Sequence, residues 1–530
     1  GTGLKIKTIE ALCYGKALVA TSAGVEGILQ RNTGQKAWLV AGDWVQFADF
    51  CAAVLKDSVL RRELEQGARE YAELYLSEDS VFSELARQLE LACKVRQIDS
   101  KPRYETLSGE GGNSRPVALL FLDYNSPNII RCVEALHKHS GLDYLLFHHH
   151  EKFAHNKEGA HLLPRAFHEL LARGRSLPDT GRYERLSPED KRRVFGLASL
   201  KELSLDAAAE IFLFLKNFFR DLIAAQRPDF VGVWCEFSPI QFGLTSAAES
   251  TGMPTFYIEY GSLPGTLMIS FNGQIGKNEI AVNNDCFNSL PVDENEVAEA
   301  GKIISKIRET RLNRYAQEPC KLENPERLAG KKILFYAGIN DLGSGNRPYD
   351  NTARRFHTPY FADTIHGLKT LCAACNNHPD WHVLFKPHPC MVSMRAKEYE
   401  PYRNHPIVTI VESGDIYDLA AMADVCLTIL SQSVYMFSIE GKPSILLGNC
   451  EIRGKGCVYE YTGGDLEQLI ELALARGYTQ VQRNAFARHA AQLLKYSLFD
   501  DGQSGWGRPL ASLEQYLKEH FLDWTDQGCL

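Results

Sequence analysis

Four short stretches set charged or hydroxyl side chains directly after apolar runs, where an open α/β sheet would present them to a ligand. Lys386-Pro-His-Pro389 follows the run His382 to Phe385. Its two prolines fix the turn, which leaves Lys386 and His388 placed to grip a phosphate; a rigid strand exit with a solvated lysine is the plainer alternative. Leu430-Ser-Gln-Ser-Val434 follows Val425 to Ile429 and precedes a helix ending near Gly441. Ser431 or Ser433 can cap that helix and still donate to a phosphate. Glu440-Gly-Lys-Pro-Ser comes next, with Glu440 able to accept from ribose hydroxyls and Lys442 beside it. Tyr257-Ile-Glu-Tyr-Gly-Ser-Leu-Pro-Gly265 carries Glu259, a carboxylate whose pKa a closed cleft would raise, or else a turn cap. Asp341 lies in Ala337-Gly-Ile-Asn-Asp-Leu-Gly-Ser-Gly345, followed by Arg347, Arg354, Arg355 and His357, which can pair with an anionic ligand or form a solvated basic loop.

The elements that must hold these residues read as strand-helix alternations. Val117 to Asp123 and Tyr144 to Phe147 are apolar strands around a helix near Asn128 to His139. Residues 151–226 are mostly helical, most strongly over Leu205 to Ala225, and strands resume at Phe230 to Trp234 and Thr255 to Glu259. A charged helical stretch, Val292 to Tyr315, leads to a second alternation through Lys331 to Ala337, Trp381 to Phe385, Val408 to Val411, Val425 to Ile429 and Ser444 to Leu447. Continuous apolar strands between helices predict parallel sheets covered on both faces. The expected domains are 1–93, a linker 94–114, a first lobe 115–315 and a second lobe 316–530.

Lys386 to Pro389, Ser431 to Ser433 and Gly441-Lys-Pro-Ser-Ile-Leu-Leu-Gly448 keep the order of a motif set in the capsule-polysaccharide synthesis family, which includes transferases of Kdo from CMP-Kdo; about 115–530 resembles that family. The resemblance implies an α/β, GT-B-like pair of Rossmann-like lobes, an acceptor lobe and a nucleotide-donor lobe, preceded by a truncated Rossmann-like lobe. It implies a transferase acting on bacterial capsule or O-antigen, taking Kdo or a related ulosonic acid from a cytidine donor to a glycan or glycolipid, with retention. Glu259 would then line the cleft as general acid or base or as a sugar ligand, although Tyr260 stands where some relatives have aspartate. Asp341 would face the sugar as nucleophile, or shape its glycine turn. Bacterial sialyltransferases and polyol-phosphate transferases are similar at the His-Pro and serine motifs and also use cytidine donors. A non-catalytic glycan-binding or scaffold pair is the third reading.

Gly1 to Gly27, continuing to about Cys93, resembles the nucleotide-binding lobe of retaining GT-B glycosyltransferases. A glycine loop feeding a helix offers backbone N–H groups to a diphosphate. Lys5 and Lys7 would add charge, and Glu10 would hold the ribose. This reading places an upstream transferase on the same native polypeptide, with residues 1–93 as its inactive remnant. Residues 94–114, polar and rich in glycine and serine, read as a linker.

A net charge of -8 with pI near 6.1 gives no footprint of a nucleic-acid binder. No apolar run is long enough to span a bilayer, so membrane contact would be peripheral, at the inner face of the cytoplasmic membrane. Fourteen cysteines without a secretory signal predict reduced thiols in the cytoplasm. Cys372 and Cys375 form one C-x-x-C without further metal ligands, and His148, His149 and His150 alternate in direction on a strand, so no metal and no cofactor beyond the nucleotide-sugar donor are expected.

Overall fold

A computed structural model describes residues 5–25, 28, 36–76, 117–122, 127–148, 160–234, 236–238, 240–315, 317–322, 324–347, 355–392 and 396–523. The chain divides into two compact units, Gly1–Pro102 and Arg103–Leu530. The expected linker 94–114 falls outside the described residues.

In the first unit, the helix Ile6–Cys13 precedes β1 (Val19–Thr21), which pairs in parallel with β2 (Leu39–Ala41). Two helices follow, Trp44–Lys56 and Ser58–Tyr75, capped by Asp43 and Asp57. Leu12, Trp38, Ala68 and Tyr71 form its small core, with the Trp38 and Tyr71 rings edge to face at 5.0 Å. Lys7 and Glu10 pair with each other at 2.9 Å on an exposed helix face. Lys5 precedes that helix, and its carbonyl accepts from Thr8 and Ile9.

The second unit opens with a seven-stranded sheet: β3 (Val117–Leu122), β4 (Asp143–His148), β5 (Ala160–Leu162), β6 (Phe230–Trp234), β7 (Thr255–Tyr260) and β8 (Thr266–Ser270), joined from the C-terminal region by β15 (Leu498–Asp500). The order β15-β8-β7-β6-β3-β4-β5 keeps the Rossmann sequence 3-2-1-4-5-6 among its first six strands, with β8 and β15 antiparallel at one edge. Strand alternation explains why the runs read as uniformly apolar. Leu119, Val231, Val233 and Tyr257 face a core built on Phe212, Leu215 and Phe219, whereas Ala118, Leu120, Phe256 and Ile258 face Ile129, Val133 and the C-terminal Leu513 and Leu517. The helix Leu205–Gln226, capped by Ser204, supplies, among the described residues, seven of the 21 buried in the first of these cores. Each fully buried large apolar side chain contributes about 1.5–3 kcal/mol.

Six parallel strands form the other sheet: β9 (Lys332–Ala337), β10 (Trp381–Lys386), β11 (Val408–Ile410), β12 (Val425–Thr428), β13 (Ser444–Leu446) and β14 (Tyr459–Glu460). Their order, β11-β10-β9-β12-β13-β14, is again 3-2-1-4-5-6, and the switch point falls between β9 and β12. The fold is α/β, a GT-B-like pair of Rossmann-like lobes preceded by a smaller α/β unit. One boundary differs from expectation: the chain leaves the second lobe after the helix Gln480–Tyr496, and residues 498–523 return to complete the first lobe's sheet and core. β15 is only three residues long, too short for a periodic sequence signal.

Among the described residues, no helix is long and apolar enough to cross a membrane. Cys372 and Cys375 are buried thiols whose pKa values burial pushes up to about 12. His148 is buried at the end of β4; His149 and His150 lie outside the described residues.

Candidate active site

The carboxyl ends of the two sheets meet. Gln432 Nε2, just past β12, donates to the Tyr260 carbonyl at the end of β7 (2.9 Å). Gly345, in the turn after β9, packs on the Phe237 ring beyond β6. Gly276 lies so close to the Phe356 backbone that a Cβ there would collide with the Phe356 carbonyl oxygen, which cannot yield as a flexible side chain would. Gly276→Ala is therefore expected to lower the unfolding free energy by about 1–3 kcal/mol, read as a lower urea midpoint. An unchanged midpoint would mean that this seam is open in solution.

Arg314 organises the seam. The helix Glu294–Thr310 starts in a capping box, Asp293 with Glu296, and ends with Arg311 in the left-handed region. Arg311 is anchored on the second lobe by Asp418 at 2.6 Å, and Tyr417 fixes the Leu312 carbonyl at 2.7 Å. Three residues on, Arg314 reaches back to the first lobe, donating to the Gly261 carbonyl (2.5 Å) with its guanidinium over the Tyr260 ring. Its positive charge acts on Glu259, Glu451 and His388 together.

Glu259 ends β7 with Oε1 sealed from solvent and without a hydrogen-bond partner. Desolvation, then the charge of Glu451, hold its pKa well above the ordinary carboxylate range. Glu451 is 1% exposed, and neither carboxylate oxygen has a partner. Burial raises its pKa from 4.5 to about 7. Its loop is rigid: Gly448 N–H donates to the Ile429 carbonyl (2.7 Å), Asn449 N–H to the His357 carbonyl (2.6 Å), and Arg453 to the Gly448 carbonyl (2.8 Å). Two carboxylates from opposite lobes feel one guanidinium: Glu451 can take up and release a proton near neutral pH, and Glu259, half-buried and steadied by the Ile275 backbone, holds its proton more tightly than an ordinary carboxyl.

On the other flank, Lys386 is buried at the end of β10, and desolvation lowers its pKa. His388 Nδ1 accepts from the Cys390 N–H at 3.2 Å, which leaves the proton of the neutral ring on Nε2. Desolvation, with Lys386 and Arg314 adding to it, lowers the His388 pKa to about 4, so the ring is neutral at pH 7. Ser431 Oγ accepts from the Ser433 N–H (3.1 Å) and bonds Ser433 Oγ (2.8 Å), forming a hydroxyl-lined turn at the β9–β12 switch point.

Not every expected residue joins them. The Asp341 carboxylate is 1% exposed and accepts from the Thr364 N–H at 3.0 Å, at the start of the helix Thr364–Ala374. That ties the carboxylate to the N-terminus of a helix 23 residues on, rather than to its own glycine turn or to a position for attack. Lys442 Nζ is spent on the Ala421 and Ala423 carbonyls, 2.7 and 2.9 Å away, and Glu440 lies 3.9 Å from Arg308. Both sit at the amino ends of β12 and β13, opposite the crevice, because Pro443 pairs with Cys426 where those strands begin. Arg347 is bound to Asp363 and Glu398; Arg354 lies outside the described residues. His357 is wholly buried against Phe237 and close to the Gln274 and Ser344 carbonyls, and burial lowers its pKa to about 4.

Glu451 and Arg314 were not singled out in the sequence. Glu451 obeys the same positional rule as His388, standing just past the apolar run Ser444 to Leu447. Arg314 had no local signal beyond its place after a long charged helix.

No protein-family model matches the chain, and no curated protein matches it. Solved structures similar to it include Thermosulfurimonas dismutans KpsC, a beta Kdo 2,7 transferase (16% identity, 51% of this chain, 78% of that one, TM-score 0.32). A beta Kdo 2,4 transferase of KpsC from the same organism is also 16% identical, over 55% of this chain and 87% of that one, with a TM-score of 0.37. The UDP-GlcNAc 2-epimerase of Neisseria meningitidis bound to UDP-GlcNAc is 14% identical over 77% of this chain and 99% of that one, with a TM-score of 0.32. The two strand orders, not these likenesses, define the fold.

Proposed function

We propose that the second unit is a glycosyltransferase that moves a sugar from a cytidine nucleotide donor, Kdo or a related ulosonic acid, to a glycan of bacterial surface polysaccharide. One observation carries the reading: the carboxyl edges of two Rossmann-order sheets meet, with Gln432 on the Tyr260 carbonyl, where Glu259, Glu451 and His388 lie within electrostatic reach of Arg314. The cytidine ulosonate donor is supported by the motif order Lys386 to Pro389, Ser431 to Ser433 and Gly441 to Gly448. In this reading His388 Nε2–H and the buried Lys386 ammonium hold the donor phosphate, and the Ser431–Ser433 turn adds hydroxyls at the switch point. Ionised Glu451 takes the proton of the acceptor hydroxyl as the acceptor oxygen bonds the anomeric carbon, a single displacement that inverts the configuration instead of the retention the family resemblance implies. The phosphate leaves with the electron pair of the broken bond, its charge met by Arg314 and Lys386. Glu259, held protonated, donates a hydrogen bond to the sugar.

The test incubates the chain with CMP-Kdo, CMP-sialate and CDP-glycerol and follows release of CMP. Turnover of CMP-Kdo is the expected result, and cleavage of CDP-glycerol alone would discard the ulosonate reading. His388→Ala is expected to raise KM for the donor about 10- to 100-fold, since a charge-assisted hydrogen bond is worth about 1.5–3 kcal/mol. An unchanged KM would remove His388 from the phosphate site.

A further inference from the structure

The geometry points to a subsite for an acidic sugar, its carboxylate held by Arg355, at the end of the crevice remote from His388. A cavity of about 390 Å³ opens there, with Arg355, Phe356, Asn449, Arg453, Asn284 and Glu460 among its walls. It lies between the lobes: Asn284 belongs to the segment after β8, and the others flank β13 and β14 or precede them.

Charge selects the ligand class. Among the described residues, the cavity lining includes two guanidinium groups and one carboxylate. Arg453 is consumed by the Gly448 and Tyr461 carbonyls at 2.8 and 2.9 Å and by Glu460 at 3.8 Å. Glu460 also accepts the Gly454 N–H at 2.7 Å. Asn449 Nδ2 is bound to the Phe356 carbonyl (3.0 Å), and the Asn284 amide oxygen to Lys455. Arg355 is exposed and, among the described residues, touches the Phe356 ring 5.5 Å away and makes no hydrogen bond or ion pair, so one planar cation faces the space with its donors unspent. A guanidinium fork matches a carboxylate in two parallel hydrogen bonds, and the Phe356 wall suits the apolar face of a pyranose. The volume is that of a site for a ring-bearing ligand rather than for a bare ion.

Position selects the role. β10, which carries Lys386 and His388, is separated from β13 and β14 by three and four strand steps, about 14–19 Å at the usual spacing. Glu451 stands on the loop between β13 and β14, whose Asn449 and Arg453 line the cavity. A donor anchored at His388 would thus bring its anomeric carbon toward Glu451, with the cavity beyond it for the sugar that receives it. The assignment of this sugar as acceptor rests on the transferase reading; the binding of an acidic sugar does not.

The test is saturation-transfer NMR on the full chain with D-glucuronate, D-glucose and inorganic phosphate as probes. Glucuronate is expected to saturate, glucose to give no saturable signal, and Arg355→Gln to weaken glucuronate at least 10-fold. Equal binding to wild type and variant, no binding to wild type, or displacement of glucuronate by equimolar phosphate would each overturn the subsite. Donor cleavage is scored separately on wild type. Arg355-dependent glucuronate binding without release of CMP from any donor sinks the transferase reading and leaves the subsite standing; CMP release without glucuronate binding does the reverse.

Discussion

Glu451→Gln is expected to cut donor turnover by about 10²- to 10⁴-fold while making the protein more stable at pH 8. The two effects have one cause. Burial without a hydrogen-bond partner raises the Glu451 pKa from 4.5 to about 7. A raised carboxyl pKa means that the folded state keeps a proton which the unfolded chain has released. Below pH 4.5 both states are protonated and nothing is lost; between about 4.5 and 7 folding stability falls as pH rises, by on the order of 3 kcal/mol at most. Glutamine cannot ionise, so the variant escapes that loss and its melting temperature falls less steeply across the window than that of wild type, the remaining fall being due to Glu259, Glu236 and Glu279, which burial raises in the same direction. The base is lost with it: wild-type turnover should climb with pH to a plateau above about 7, and the variant should show neither the climb nor the rate. Melts at pH 4.5, 6 and 8 with CMP release at each pH measure both. A variant that turns over like wild type would show that Glu451 is a buried acid without a catalytic task.

The parts of this fold that were legible are those whose cause is local. β6 falls on Phe230 to Trp234 as expected, and β10 and β12 within a residue, because a strand covered on both faces must be apolar at every position. β5, β14 and β15 are two or three residues long and pair only because the sheet is already there, so no period marks them. The same division holds at the site. Lys386, His388, Ser431 and Glu259 stand at or just past the carboxyl ends of long apolar runs, the edge at which the two sheets meet. Glu440 and Lys442 also stand next to a strand, but at its entrance, and a sequence motif does not say which end of a parallel strand a residue serves. Asp341 follows a strand correctly, yet its carboxylate is claimed by a helix 23 residues on, a partner visible only once β9 and the helix Thr364–Ala374 are packed.

Arg314 has no such local cause, which makes its removal the sharper probe of the whole arrangement. Arg314→Met keeps an apolar stem over Tyr260 and deletes the guanidinium whose charge acts on both Glu259 and Glu451. Breaking a buried charge cluster by removing one partner costs about 3–5 kcal/mol. The lower end is expected here, because Arg314 is half-buried and both carboxyls can take up protons. Loss of the cation raises both carboxyl pKa values further, so the destabilisation must grow with pH, small at pH 5 and largest above 8. Glu259→Gln placed on top should recover part of it, a coupling of about 0.5–3 kcal/mol between groups in contact. Turnover should fall at least 100-fold, since the cation that meets the departing phosphate has gone. Urea denaturation of wild type, both single variants and the double variant at pH 5 and 8 gives the cycle. Equal losses at the two pH values, or strictly additive ones, would place Arg314 as a backbone brace for Gly261 alone and dissolve the shared electrostatic cluster on which the catalytic reading depends.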